Sequence, residues 1–153
     1  MIIFFSKLNF ISIIFLFSFI FSKQSYSNEL DKISACAGVV MGEGATELRD
    51  LQNEENFDNA FELAIKAFYG EGLSKKRSEE DIVIAENIIA SNVDKIYSQP
   101  EWTAEVYEEV IRCYRILGLK VLEKSSLIKN NINMINQYIN KYKSRLKRMI
   151  NAG

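Results

Sequence analysis

The chain has 153 residues with 19 basic and 20 acidic side chains, two cysteines, one proline, one tryptophan and no histidine. With 48% hydrophobic residues and a net charge of −1 it has too much apolar material and too little net charge for disorder, and its length is that of one domain rather than of a multi-domain enzyme. The absence of histidine excludes His-containing zinc sites, histidine acid–base chemistry and the Glu-x-x-His pairs of four-helix di-metal centres.

Residues 1–27 read as a secretory signal peptide. Lys7 supplies the positive start, Phe10 to Phe21 is an uncharged apolar run, and Ser25-Tyr26-Ser27 fits a small-x-small cleavage pattern. Cleavage there makes Asn28 the mature N-terminus. The alternative is an uncleaved membrane anchor, but Lys7 interrupts the run and leaves it short for a span. Ile33-Ser34-Ala35-Cys36 resembles a lipobox. That signal directly continues an apolar run in lipoproteins, whereas here Glu29, Asp31 and Lys32 intervene. Residues 28–153 are therefore expected to form one exported domain, periplasmic or secreted. In an oxidising compartment the only two cysteines, Cys36 and Cys113, are expected to pair.

The mature chain shows helical spacing throughout and no sustained alternation of period two. A first helix is predicted from about Glu29 to Met41, with Leu30, Ile33, Ala37 and Val40 on one stripe and Cys36 beside it. Gly42-Glu43-Gly44 reads as its end or a kink. A second helix is predicted to start at Thr46 or Glu54 and run to Tyr69, burying Phe57, Phe61, Ala64, Ile65 and Phe68, with Gly70-Glu71-Gly72 stopping it. The segment Leu63-Ala64-x-x-Ala67-x-x-Gly70-x-Gly72-Leu73 resembles the helix–turn core of Sel1-type repeats, and the resemblance implies an α-solenoid interaction protein. It covers one unit, and the chain offers no second unit of the three or more that solenoids need.

A third helix is predicted from the capping box Ser78-Glu79-Glu80-Asp81, with Ile82, Ala85, Ile89, Val93 and Ile96 inward. A fourth is predicted from Ser98-Gln99-Pro100-Glu101, with the proline in the first turn. Its stripe is Trp102, Val106, Val110, Cys113, Leu117 and Val121, which turns Cys113 inward toward Cys36. In the fifth, Ile128, Ile132, Ile135, Ile139, Tyr142, Leu146 and Met149 recur at heptad-like steps. This Ile128–Met149 seam serves either a bundle core or a homodimer, and its short length favours the core. The expected fold is all-α, a small four- or five-helix bundle stapled by one disulfide.

Charge is divided along the chain. Residues 28–119 carry 19 acidic and 9 basic side chains, and residues 120–153 carry 1 acidic and 8 basic. Lys141, Lys143, Arg145, Lys147 and Arg148 are the candidate binding residues, for a protein partner or an anionic envelope surface. The competing account is that the basic helix packs on the acidic body. Nucleic acid does not fit, since the segment lacks interleaved aromatics for base stacking. The row Asn130, Asn131, Asn133, Asn136 and Asn140 weakens this helix without suggesting chemistry.

Catalysis has little to stand on. Glu105 and Glu109, or Glu43 and Glu47, are carboxylate pairs one turn apart, and Arg112 is placed to pair with Glu108 and Glu109 as on any helix surface. Serine lacks a histidine base, and no glycine-rich phosphate loop follows a strand. The expected function is non-enzymatic, without cofactor or metal: an exported helical protein that binds a macromolecule or supports the envelope.

Overall fold

The structure, a computed structural model, describes residues 28–75 and 77–152. The signal-peptide reading of residues 1–27 lies outside the described residues. Six helices follow one another, with no strand among the described residues: α1 (Glu29–Leu51), α2 (Glu54–Ser74), α3 (Glu79–Tyr97), α4 (Ala104–Glu123), α5 (Ser125–Asn130) and α6 (Ile132–Ala152). The all-α bundle holds, with the expected fifth segment divided in two.

Helix α1 is the centre. The Asn28 side chain caps it by accepting from Asp31 N–H at 3.0 Å. Every residue from Ile33 to Ala45 is buried, so this stretch has no solvent stripe, and the helix packs against α2, α3, α4 and α6. Of the two readings of Gly42-Glu43-Gly44, an end or a kink, the end near Met41 is wrong; α1 continues to Leu51. The glycines mark crossings instead. A Cβ on Gly38 would lie 2.4 Å from the Ile89 carbonyl oxygen, one on Gly42 2.8 Å from Ile96 Cβ, and one on Gly44 2.8 Å from Ala60 Cβ. Close packing by α2 and α3 outweighs a helix penalty of roughly 1 kcal/mol per glycine. Gly70 and Gly72 likewise lie inside α2, which ends at Ser74, so the turn implied by a Sel1-type unit does not form there.

Helix α2 contributes the largest core side chains, Phe57, Phe61, Ile65 and Phe68, all fully buried. Helix α3 starts at the expected box: Ser78 accepts from Asp81 N–H, and the Asp81 carboxylate accepts from Ser78 N–H. Helix α4 starts later than expected. Ser98 is the C-cap of α3, and Pro100 lies in the connection. The Thr103 hydroxyl caps α4 by accepting from Val106 N–H. Trp102, just outside the helix, packs edge-on against Tyr107 in its first turn, with ring centroids 5.4 Å apart. That apolar staple and the threonine cap set the boundary more firmly than the proline does. The Cys36–Cys113 disulfide joins α1 to α4 across a sequence separation of 77.

The last segment is not one helix. It breaks at Asn131, whose N–H donates to Ile128 carbonyl and whose side-chain amide donates to Leu127 carbonyl. Side-chain bonding back to the backbone competes with the helical ladder, which is why asparagine is a poor helix former. Ile128, Ile135 and Ile139 are buried within the chain. Tyr138 stacks on Tyr69 of α2 with centroids 4.3 Å apart. That half of the seam is core; Met149 at its far end is 59% exposed.

Candidate functional site

The amphipathic period of α6 that buries Ile135 and Ile139 decides where its five cations go. Two turn inward: Lys143 Nζ lies 2.7 Å from Asp58, and Lys147 Nζ lies 3.8 Å from Glu54, both on α2. Lys147 also sits 5.4 Å from the Phe57 ring centroid, a cation–π contact. The other three, Lys141, Arg145 and Arg148, are exposed and pair with no carboxylate among the described residues. Spaced four and three residues apart, they form one outward row. Internal charge complementarity and an outward cationic row are both present, on different residues.

Beside Arg145 a cleft of about 360 Å³ opens between α3 and α6. Its floor includes Met41 of α1 and Phe61 of α2, its α3 wall Glu86 and Asp94, and its α6 wall Tyr142, Arg145, Leu146 and Met149. Tyr142 Oη donates to Glu86 Oε1 at 2.5 Å, bridging the two helices. Burial first, and then the Glu86 carboxylate, push the Tyr142 pKa well above its ordinary value, so the phenol remains a donor. The cleft joins an apolar floor to one unpaired cation and two carboxylates.

Two buried ionic clusters lie elsewhere. Glu71 is 1% exposed and holds Lys120 of α4 at 3.3 Å and Lys75 at 3.2 Å; Lys120 also reaches Glu29 at 3.4 Å and Glu123 at 3.0 Å. Burial alone would depress the lysine pKa, yet the carboxylates of Glu123, Glu71 and Glu29 outweigh it and the net shift is upward. Sequence reading misses this cluster. Its signal was that Lys120 follows Cys113 and Leu117 on the inward stripe, while Glu71 sits between two buried glycines.

The second cluster is Glu43, which accepts from Asn56 Nδ2 at 2.9 Å and Tyr114 Oη at 2.6 Å. Burial, then the nearby Glu47 charge, raise the Glu43 pKa against the opposing effect of both hydrogen bonds. Tyr114 is shifted upward, by burial first and then by Glu43. Glu47 itself accepts from Asn53 Nδ2 at 2.8 Å. Both Glu43 oxygens are engaged and the residue is 7% exposed, so it ties α1 to α2 and α4.

The carboxylate pair Glu105 and Glu109 is not assembled into a site with a base: Glu109 pairs with Lys95 of α3 at 3.1 Å and Glu105 faces solvent. The expected partnership of Glu109 with Arg112 gives way to this cross-helix pair. Among the described residues, no group of three or more His, Cys, Asp or Glu side chains is arranged to hold a metal ion, and no helix is long and apolar enough to cross a membrane. The outward row on α6 and the adjacent cleft are thus the strongest candidate site. Compared with known proteins, the chain matches no family model, no curated protein and no solved structure.

Proposed function

We propose that this is an exported, non-enzymatic helical protein, periplasmic or secreted, that binds an anionic macromolecular partner of the cell envelope through the outer face of α6. One observation carries the reading. Lys141, Arg145 and Arg148 remain exposed and unpaired beside a cleft, although the same helix neutralises Lys143 and Lys147 against α2. A row of cations left free beside an apolar opening suits a partner that offers acidic side chains around an apolar anchor. The signal-like start of the sequence supports export, and detection of a mature N-terminus at Asn28 tests that half of the proposal.

Binding is tested by co-sedimentation with the host's envelope fraction, comparing the wild type with the triple variant Lys141→Gln, Arg145→Gln, Arg148→Gln. Exposed pairs contribute up to about 1 kcal/mol each, so the variant should bind roughly tenfold to a hundredfold more weakly. Equal binding by the two proteins refutes the site. The second reading is a peripheral lipid-surface binder, favoured by the exposed Met149 next to the basic row. Prior protease treatment of the envelope separates the two: a protein partner is destroyed, whereas a lipid surface keeps binding and is reproduced by anionic vesicles.

A further inference from the structure

Helix α4 has a second apolar face that the bundle does not cover. Val106, Val110, Cys113 and Leu117 turn inward, yet Tyr107 is 55% exposed, Ile111 59%, Leu119 62% and Leu122 72%. Ala104, Tyr107, Ile111, Gly118 and Leu122 follow one another at steps of three, four, seven and four, which places them along one outer face. Gly118 is the odd member. Each other described glycine has a neighbour against the position a Cβ would take, whereas nothing lies within 4 Å of that position at Gly118. Glycine inside a helix is unfavourable relative to alanine, and nothing among the described residues compensates for it here.

Arg115, four residues after Ile111 and three before Gly118, lies within this face, and the charges on and beside it have a direction. Glu108 and Arg112 lie in the first half of α4 and Arg115 in the second; none pairs with an opposite charge among the described residues. Two copies of α4 laid parallel would set Glu108 beside Glu108 and Arg115 beside Arg115. Laid antiparallel about a two-fold axis, each Glu108 meets the Arg115 of the other copy.

We propose that the outer face of α4 is a homodimer interface, with a second copy of this chain packed antiparallel on it and Ile111 on the two-fold axis. In that register Gly118 faces Ala104 of the second copy, so two small residues permit close helix approach at each end. Leu122 of the second copy reaches the level of Pro100. There a depression of about 480 Å³ has an apolar side of Leu51, Pro100, Trp102 and Tyr107 and an acidic side of Glu47, Asp50 and Glu101. The leucine meets its apolar side, and the symmetry repeats the contact. The interface lies on α4 and is independent of the basic row on α6.

Sedimentation velocity of the full chain over a concentration series tests the proposal. The wild type dimerises in the micromolar range. Glu108→Arg and Arg115→Glu each weaken the dimer by about tenfold or more, and combining them restores it, because the swapped charges again face each other across the axis. Ile111→Glu sets two carboxylates on the axis and abolishes the dimer, with the helical circular dichroism unchanged because the position is exposed. A chain that stays monomeric up to about 100 μM overturns the proposal, as does a dimer indifferent to Ile111→Glu or a charge-swapped double variant no better than its parents.

Discussion

The same substitution, glycine to alanine, should have opposite effects at two positions of this fold. At Gly38 an added Cβ would lie 2.4 Å from the Ile89 carbonyl oxygen and 2.6 Å from Asn92 Cβ. Relief needs α1 and α3 to separate by roughly 1 Å, because atoms at van der Waals contact stand about 3.5 Å apart. A backbone carbonyl inside a helix cannot rotate away, so the cost lies at the upper end of the overpacking range, about 3 kcal/mol. Alanine's better helix propensity returns about 1 kcal/mol, leaving a net loss of about 2 kcal/mol. At Gly118 no atom stands within 4 Å, so the propensity acts alone and Gly118→Ala gains about 0.5–1 kcal/mol. For a domain of this size 1 kcal/mol moves Tm by about 4 °C, so Gly38→Ala should melt about 8 °C below the wild type and Gly118→Ala about 3 °C above it. Thermal melts by circular dichroism at low protein concentration, where Gly118 faces solvent, measure both. A Gly38→Ala variant that melts at or above the wild type would refute the close α1–α3 crossing, and with it the account of α1 as an enclosed helix.

Reducing the Cys36–Cys113 bridge frees a loop with a sequence separation of 77, worth about 4.5 kcal/mol in the chain-entropy model. With a urea slope of about 2 kcal/mol/M the midpoint should fall by about 2 M, and a fall of less than about 0.5 M would contradict this. Lys120→Met removes the cation buried against Glu71. With Lys75 still 3.2 Å from that carboxylate, the loss should be about 2–3 kcal/mol, below the range for fully stranded buried charges. Adding Glu71→Gln to that variant should recover part of the loss in urea titrations; further destabilisation would argue that hydrogen bonding by Glu71 outweighs its charge. The Glu43 pKa is raised, so its protonated form favours the folded state in acid and that contribution is lost as pH rises through the folded-state pKa. Glu43→Gln stays neutral, and its stability relative to the wild type should improve from about pH 4 to about pH 8; a difference that does not vary with pH would remove the assigned cause.

The inward stripes were legible where burial is one-sided. On α3, Ala85, Ile89, Val93 and Ile96 are buried as their spacing indicates, and on α4 so are Val106, Val110, Cys113 and Leu117. The disulfide follows from the same logic, since both cysteines fall on or beside buried stripes. The capping box at Ser78 was legible because its two hydrogen bonds are local. The end of α1 was not. Glycine has the same one-letter signature whether it stops a helix or lets another helix approach, and only the neighbour at Gly38, Gly42 or Gly44 distinguishes the two. The start of α4 depended on a contact between Trp102 and Tyr107 that no residue-by-residue preference contains. The five cations of α6 were legible as a group, but their division was not. It depends on which side α2 occupies, and hence on Asp58 and Glu54.

The division of labour among the helices follows from that geometry. The small residues of α1, from Ala35-Cys36-Ala37-Gly38 to Gly44-Ala45, let the surrounding helices come near on several sides, and the stretch from Ile33 to Ala45 has no surface left with which to bind. Helices α4 and α6 bury a single stripe each, and their remaining faces carry unpaired arginines and lysines and the exposed Tyr107, Ile111, Leu122 and Met149. Stability and binding should therefore separate by element. Substitutions in α1 change the melting temperature, and any change in binding follows from it. Substitutions at Lys141, Arg145 or Ile111 change association while the melting temperature of the dilute protein stays within the small range usual for surface positions, about 0.5 kcal/mol. The acidic body and the basic last helix act by the same rule. Charges that face α2 were neutralised when the chain closed on itself, and those left outward retain their full attraction for whatever anionic surface the protein meets.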